Sequence, residues 1–210
     1  LKYGAKLNVL NNFGNSAFLI ACYRNNTIII DTLLTEYNVN VNTRDEDGNS
    51  ALIINAKLGN INFVRKLLTD YNADVNLKNT EGKSAILAAA ENGHIDIVNM
   101  LVDEFNANIL DEDNNGNNVI ILAGNNGNTE TVTELINKYN TNVNAQNNNG
   151  ETVITLASKN GFIDTVNNIT NNYDIDVNIP NNTGETIITI ASRKGFVDTI
   201  DLLIDEVVDE

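Results

Sequence analysis

Gly14, Gly48, Gly82, Gly116, Gly150 and Gly184 follow one another at intervals of 34 residues, with neither insertion nor deletion. A fixed period of this length means that one supersecondary unit recurs, each copy too small to bury its apolar face alone and dependent on stacking against the next. A second set, Gly59, Gly93, Gly127, Gly161 and Gly195, comes 11 residues after the first, and Asn25 stands at its earliest position. Asn is the other residue that enters the left-handed backbone region readily, so the same turn is expected at all six places.

Between the two glycines each copy reads as a short apolar helix, as in SALIINAKLG (50–59), SAILAAAENG (84–93), TVITLASKNG (152–161) and TIITIASRKG (186–195). Ser or Thr takes the N-cap and Gly lies just past the end. A longer amphipathic stretch follows. In 94–106, Ile95, Ile97, Val98, Leu101, Val102 and Phe105 fit helical spacing with polar residues opposite, which predicts a second helix antiparallel to the first. Asn38, Asn72, Asn106, Asn140 and Asp174 are expected to close these second helices, and a polar segment such as ADVNLKNTEG (73–82) leads to the next glycine.

Asn makes up about one residue in five, an excess that could belong to a low-complexity tract, but the Asn residues gather in recurring turns between apolar segments. The chain is 42% hydrophobic, enough for a core, and carries 28 acidic against 13 basic residues, a net charge of −15 that argues against nucleic acid as partner. One Cys and one His exclude a disulfide within the chain and a zinc or iron site built from several such ligands. No apolar run approaches the length of a membrane span, and LKYGAKLNV at the start has no signal-peptide core, so a soluble protein of the cytoplasm is expected.

The chain resembles the ankyrin-repeat family. The resemblance rests on the entry Asp45 to Ser50, on Ala21, Ala89, Ala123, Ala157 and Ala191 near the end of the first helix, on Gly59, Val64, Leu67 and Leu68, and on the exit Ala73 to Asn76. It implies an all-α repeat solenoid, antiparallel helix pairs joined by extended turn and hairpin loops, over residues 1–210. Residues 1–10 would be the tail of a preceding repeat, Tyr3 aligning with Tyr37 and Asn8 with Asn42. Repeats would follow at about 11–44, 45–78, 79–112, 113–146, 147–180 and 181–210. Ile200, Leu203, Ile204, Val207 and Val208 keep the internal apolar pattern to the end, so a stretch of a longer array is expected.

Against the family pattern, each copy has one extra residue, the aromatic before the closing position: Tyr37, Tyr71, Phe105, Tyr139 or Tyr173. We expect it as a core anchor under the loop. The family's Thr-Pro-Leu-His signature lacks Pro and His throughout. The Pro site holds Ala51, Ala85, Val119, Val153 and Ile187, and the His site Ile53, Leu87, Ile121, Thr155 and Thr189. Loss of the N1 proline and of the signature's hydrogen bonds predicts lower stability per repeat. Asn55, in place of the small Ala, predicts a packing fault or a bound water.

Asp111 to Gly116 matches the first half of a calcium loop, but position 12 is Leu122 in place of the bidentate Glu, so no metal site is expected. His94 is expected to be structural. Cys22 is expected to be a small buried group, with no base beside it in sequence for catalysis. The sequons at Asn25, Asn168 and Asn181 arise readily in so Asn-rich a chain.

The acidic clusters Asp45-Glu46-Asp47 and Asp111-Glu112-Asp113 fall in the turn tips, as a solvated surface or as a field that selects a basic partner. By resemblance, partner contacts fall beside the turn glycine and at the end of the first helix. Those positions are Phe13, Asn15, Glu46, Asp47, Asn49, Thr80, Glu81, Lys83, Asn114 and Asn115, with Tyr23, Arg24, Lys57, Leu58, Glu91 and Asn92 from the helices. Phe13, Tyr23 and Leu58 place apolar groups where solvent is expected, which puts the best patch in the first two copies. The expected function is a non-catalytic protein-interaction module: a concave surface for a protein partner, a basic one by charge, acting as a monomer without cofactor. The alternatives are a structural spacer, or a substrate-docking segment of an enzyme whose catalytic domain lies outside this chain.

Overall fold

The computed structural model describes residues 6–7 and 9–205. Tyr3, Asn8, Val207 and Val208 lie outside the described residues. Twelve α-helices and no strand occur among those described: α1 Ala17–Tyr23, α2 Thr27–Thr35, α3 Ala51–Lys57, α4 Ile61–Thr69, α5 Ala85–Glu91, α6 Ile95–Phe105, α7 Val119–Asn125, α8 Thr129–Tyr139, α9 Val153–Asn160, α10 Ile163–Asn172, α11 Ile187–Lys194 and α12 Val197–Asp205. One compact unit takes in the chain through Ala89 with Asp96–Asn108, and a second takes in Ala90–Ile95 with Ile109 onward.

Within the first unit α1 packs on α2 and α3, and α3 on α4. Short helices form because each is capped and then covered on every side. The Ser16 hydroxyl accepts from Leu19 N and the Ser50 hydroxyl from Ile53 N, both at 3.3 Å. All six residues from Ala51 to Ala56 are buried. At about 1.5–3 kcal/mol per buried Leu or Ile, this burial outweighs the weak propensity of a seven-residue helix. In the second unit α7 packs on α8 and α9, α9 on α10 and α11, and α10 on α8 and α12. There the caps are Asn118, which accepts from Ile121 N at 3.1 Å, and Thr152, whose N–H donates to Thr155 Oγ1 at 2.9 Å. Thr186 N–H donates in the same way to Thr189 Oγ1 at 2.9 Å. Thr155 and Thr189 sit at the signature's His site, so the hydrogen bonds expected to be lost are made there by another residue type.

Asn25, Asn38, Asn72, Asn106 and Asn140 all have positive φ, between 49° and 55°, as their placement at turns and helix ends predicts. Asp174 does not: α10 ends at Asn172 and leaves through an extended Tyr173 at φ −135°, a correction to the expected closure. The recurring aromatic is also corrected. Tyr37 is 42% exposed and Tyr71, Phe105, Tyr139 and Tyr173 are half-buried, so none is a core anchor. A phenol needs a polar partner, and two of them find it on the preceding helix pair. Tyr71 donates to Asp31 Oδ1 at 3.0 Å and Tyr173 to Asn137 Oδ1 at 3.3 Å.

Asn55 produces no packing fault. It is fully buried, its Nδ2 donates to Ala51 O at 2.8 Å, and its Oδ1 accepts from Asn60 Nδ2 at 3.0 Å. Cys22 is fully buried, and burial pushes its thiol up to about 12, against a smaller lowering by a hydrogen bond with Asn55.

Candidate partner-binding surface

Each polar turn is a finger closed by its own first side chain. In the finger 11–15, Asn11 Oδ1 accepts from Phe13 N at 2.9 Å and Asn15 N at 3.0 Å. In 79–83, Asn79 Oδ1 accepts from Glu81 N at 3.0 Å and Lys83 N at 2.9 Å. Asp113, Asn147 and Asn181 repeat the pattern. Neighbouring fingers are also joined by backbone: Thr80 N donates to Asp47 O at 2.8 Å in the first unit, and Asn148 N to Asn115 O at 2.9 Å in the second. The contact is close enough at Gly14, φ +67°, that a Cβ there would lie 2.8 Å from Glu46 N.

Side-chain amides add a second link between fingers. Asn79 Nδ2 donates to Asn49 Oδ1 at 2.9 Å, and Asn147 Nδ2 to Asn117 Oδ1 at 2.7 Å. An amide both donates and accepts, so stacked asparagines can satisfy one another. At 45 the residue is Asp, a carboxylate with nothing to donate, and Asn15 Oδ1, its counterpart one finger back, is buried without a hydrogen-bond partner. Asp45 instead collects donors: Oδ1 accepts from Asn49 N at 2.7 Å, and Oδ2 from Asn49 Nδ2 at 3.1 Å and from the Tyr23 hydroxyl at 2.5 Å. A relay therefore runs from Asn79 through Asn49 to Asp45, with Tyr23 held at its end. Burial, then the Asp45 hydrogen bond and charge, with Asp47 adding to them, push the Tyr23 phenol well above its ordinary value of 10.0.

The predicted contact residues divide between the two units. In the first, Phe13 is 69%, Tyr23 42% and Leu58 45% exposed. Arg24, Glu46, Asp47, Lys57, Thr80 and Glu81 are exposed, while Asn15, Asn49 and Lys83 are half-buried. Lys83 Nζ pairs with Glu81 at 3.0 Å. No cation pairs with Asp45, Glu46 or Asp47 among the described residues. In the second unit Asn92, Asn114 and Asn115 are exposed and Glu91 is half-buried. There, asparagines at the helix ends hold carbonyls of the preceding pair: Asn126 Nδ2 donates to Glu91 O at 2.8 Å and Asn160 Nδ2 to Asn125 O at 2.9 Å.

Sequence reasoning missed Asp45 as the holder of Tyr23, although the alternation of Asn and Asp at 11, 45, 79, 113, 147 and 181 was visible in the 34-residue register. It also missed a charged column in the second unit. Lys159 Nζ lies 2.5 Å from Glu151 and 3.1 Å from Glu185, and Arg193 pairs with Glu185 at 2.7 Å. Lys159, then Asn181, hold the Glu185 carboxyl below its ordinary range. The exposed Ile20, Ile28 and Ile29 of α1 and α2 were missed as well.

The half calcium loop has no ligands to spare. Asp113 is buried and spends Oδ1 on Asn115 N and Asn117 N and Oδ2 on Asn117 Nδ2, while Leu122 is buried in α7. No group of three metal-ligating side chains occurs among the described residues, and no helix there is long and apolar enough to cross a membrane. His94 is half-buried just before α6.

No curated protein sequence matches the chain. Among solved structures it is similar to a chain from the complex of a predatory endopeptidase from Bdellovibrio bacteriovorus with an immunity protein. The TM-score is 0.75 at 24% identity, over 91% of this chain and 98% of that one. The family described as ankyrin repeats, in three copies, matches residues 1–79, 56–147 and 120–209. With its 34-residue period, its capped helix pairs and this match along nearly its whole length, the chain belongs to the ankyrin-repeat family.

Proposed function

We propose that the chain is a non-catalytic protein-binding module, a monomer whose partner is basic and docks on the fingers and first-helix ends of the first unit. The observation that carries this reading is the joint exposure of Phe13, Tyr23 and Leu58 beside carboxylates that have no cation among the described residues. Apolar groups give up ordered water on contact, and truncating buried anchors of this kind costs an interface most. Asp45, Glu46 and Asp47 supply a field that draws a cationic surface and raises the association rate. The similar solved chain comes from a complex of two proteins, which is in keeping with a binding role.

A second reading, a structural spacer, is favoured by one observation in the second unit. Its exposed finger and helix-end positions are mostly Asn, several of them spent on neighbouring carbonyls, which leaves little to read a partner. An affinity pull-down with the 210-residue chain as bait, at low and high salt, separates the two. Phe13→Ala with Leu58→Ala is the control, because both side chains are exposed and neither makes a side-chain hydrogen bond. Tyr23 is left intact because its hydroxyl ties two fingers together. One saturable partner kept by the parent and lost by the control supports the binding reading. Nothing saturable retained overturns it in favour of the spacer.

A further inference from the structure

We propose that Tyr23, Asp45 and Asp47 form a seat for an arginine side chain of the partner, with the guanidinium plane over the Tyr23 ring and its edge forked to the carboxylates. This inference rests on the protein-binding reading above and names the chemistry that the surface selects.

Three observations converge on it. The Tyr23 ring is two-fifths exposed yet fixed, because its hydroxyl donates to Asp45 at 2.5 Å and Asp45 is in turn held by Asn49 N and Nδ2. A phenol that donates to a carboxylate becomes richer in electrons, which strengthens the attraction of its face for a cation. The Asp47 carboxylate is near enough to act on the same phenol, and Asp47 is exposed with no hydrogen bond from its side chain among those described. Two negative charges thus flank one aromatic face with no counter-charge. Arg24 and Arg44, the arginines closest in sequence, form no ion pair with either carboxylate among the described residues.

The geometry of the seat prefers arginine to lysine. A planar guanidinium stacks on a ring and still presents N–H groups at its edge for bidentate pairing, whereas a compact ammonium cannot do both. The position also carries a cost. Asp in place of Asn at 45 leaves Asn15 Oδ1 buried and unsatisfied, a local loss that an anion needed at this point would account for.

The test pans a displayed library of random peptides, about twelve residues long, on the intact 210-residue chain. Enriched peptides are then labelled with fluorescein and measured by polarisation against the parent, Tyr23→Leu and Asp47→Asn, with melting curves to confirm folding. Asp47→Asn keeps the test sound if Tyr23→Leu disturbs the fingers. Arginine should be enriched over lysine. Tyr23→Leu should weaken binding roughly two- to fivefold, and Asp47→Asn by a similar factor that shrinks at high salt. Equal enrichment of lysine overturns the seat, as does binding untouched by either variant. If no peptide is enriched while the pull-down still retains a partner that the control loses, the seat is wrong and the binding reading stands. If both come back empty, both fall.

Discussion

Replacing Asn79 by Ala removes three hydrogen bonds: those accepted from Glu81 N and Lys83 N, at 3.0 and 2.9 Å, and the one donated to Asn49 at 2.9 Å. At a net value of about 0.5–1.5 kcal/mol each, reduced because water reaches a half-buried side chain, the loss should total roughly 2 kcal/mol. Asn79→Asp separates the two roles of the amide. Its carboxylate still closes the finger by accepting from Glu81 N and Lys83 N, but it has no donor for Asn49, and the expected cost is about 1 kcal/mol. Urea unfolding followed by circular dichroism gives the overall order, parent above Asp above Ala. Hydrogen exchange resolves the cause: the amides of Glu81 and Lys83 should exchange faster in the Ala variant and remain protected in the Asp variant. Equal loss of stability in the two variants, or equal exchange at both amides, would refute the division of labour assigned to this side chain.

Four further outcomes are expected. Tyr23 has its phenol pKa raised in the fold, so the stability it contributes is present below its unfolded value near 10.0 and lost as the pH climbs through the folded value. In an alkaline absorbance titration, the Tyr23→Phe variant should lack the latest-titrating component. Cys22, with its thiol pushed up to about 12, should be inert to a disulfide reagent at pH 8 and should react at the rate of global opening as urea is added. Gly14→Ala should destabilise more than Gly184→Ala. Both have positive φ, but a Cβ at 14 meets the Glu46 backbone at 2.8 Å and one at 184 meets nothing within 4 Å, so only the backbone strain of about 1 kcal/mol is common to the two. Lys159→Met should lower the melting temperature through a loss of roughly 2–3 kcal/mol, because the carboxylate of Glu151, 6% exposed with Oε2 already unsatisfied, would lose its cation.

The helices and their turns were legible because both obey local rules. Ser16, Ser50 and Thr152 cap where a capping residue precedes an apolar run, and Asn38, Asn72, Asn106 and Asn140 turn the backbone where only Asn or Gly recurs. The aromatic before the helix end was misplaced because apolar bulk suggests a core, whereas the hydroxyls of Tyr71 and Tyr173 needed partners across the stack. Asn55 was misjudged for a similar reason: its partners Ala51 and Asn60 are near in sequence, but its burial is set by the neighbouring helices. Tyr23 was singled out as exposed, yet its bond to Asp45 spans 22 residues and follows from finger stacking, which no single copy reveals.

The asparagine fingers bear on how such a chain can grow. Coupling between adjacent copies usually demands a matched pair, cation against anion or large against small, so that inserting a unit breaks the match on both sides. An amide is its own complement. Asn79 meets Asn49 and Asn147 meets Asn117 through the same donor and the same acceptor, so a duplicated copy arrives with a compatible edge at each end. A net charge of −15 would make a column of carboxylates self-repelling, and the neutral amide avoids that as well. Length in this chain can therefore change by whole units of 34 residues without a compensating substitution at the join.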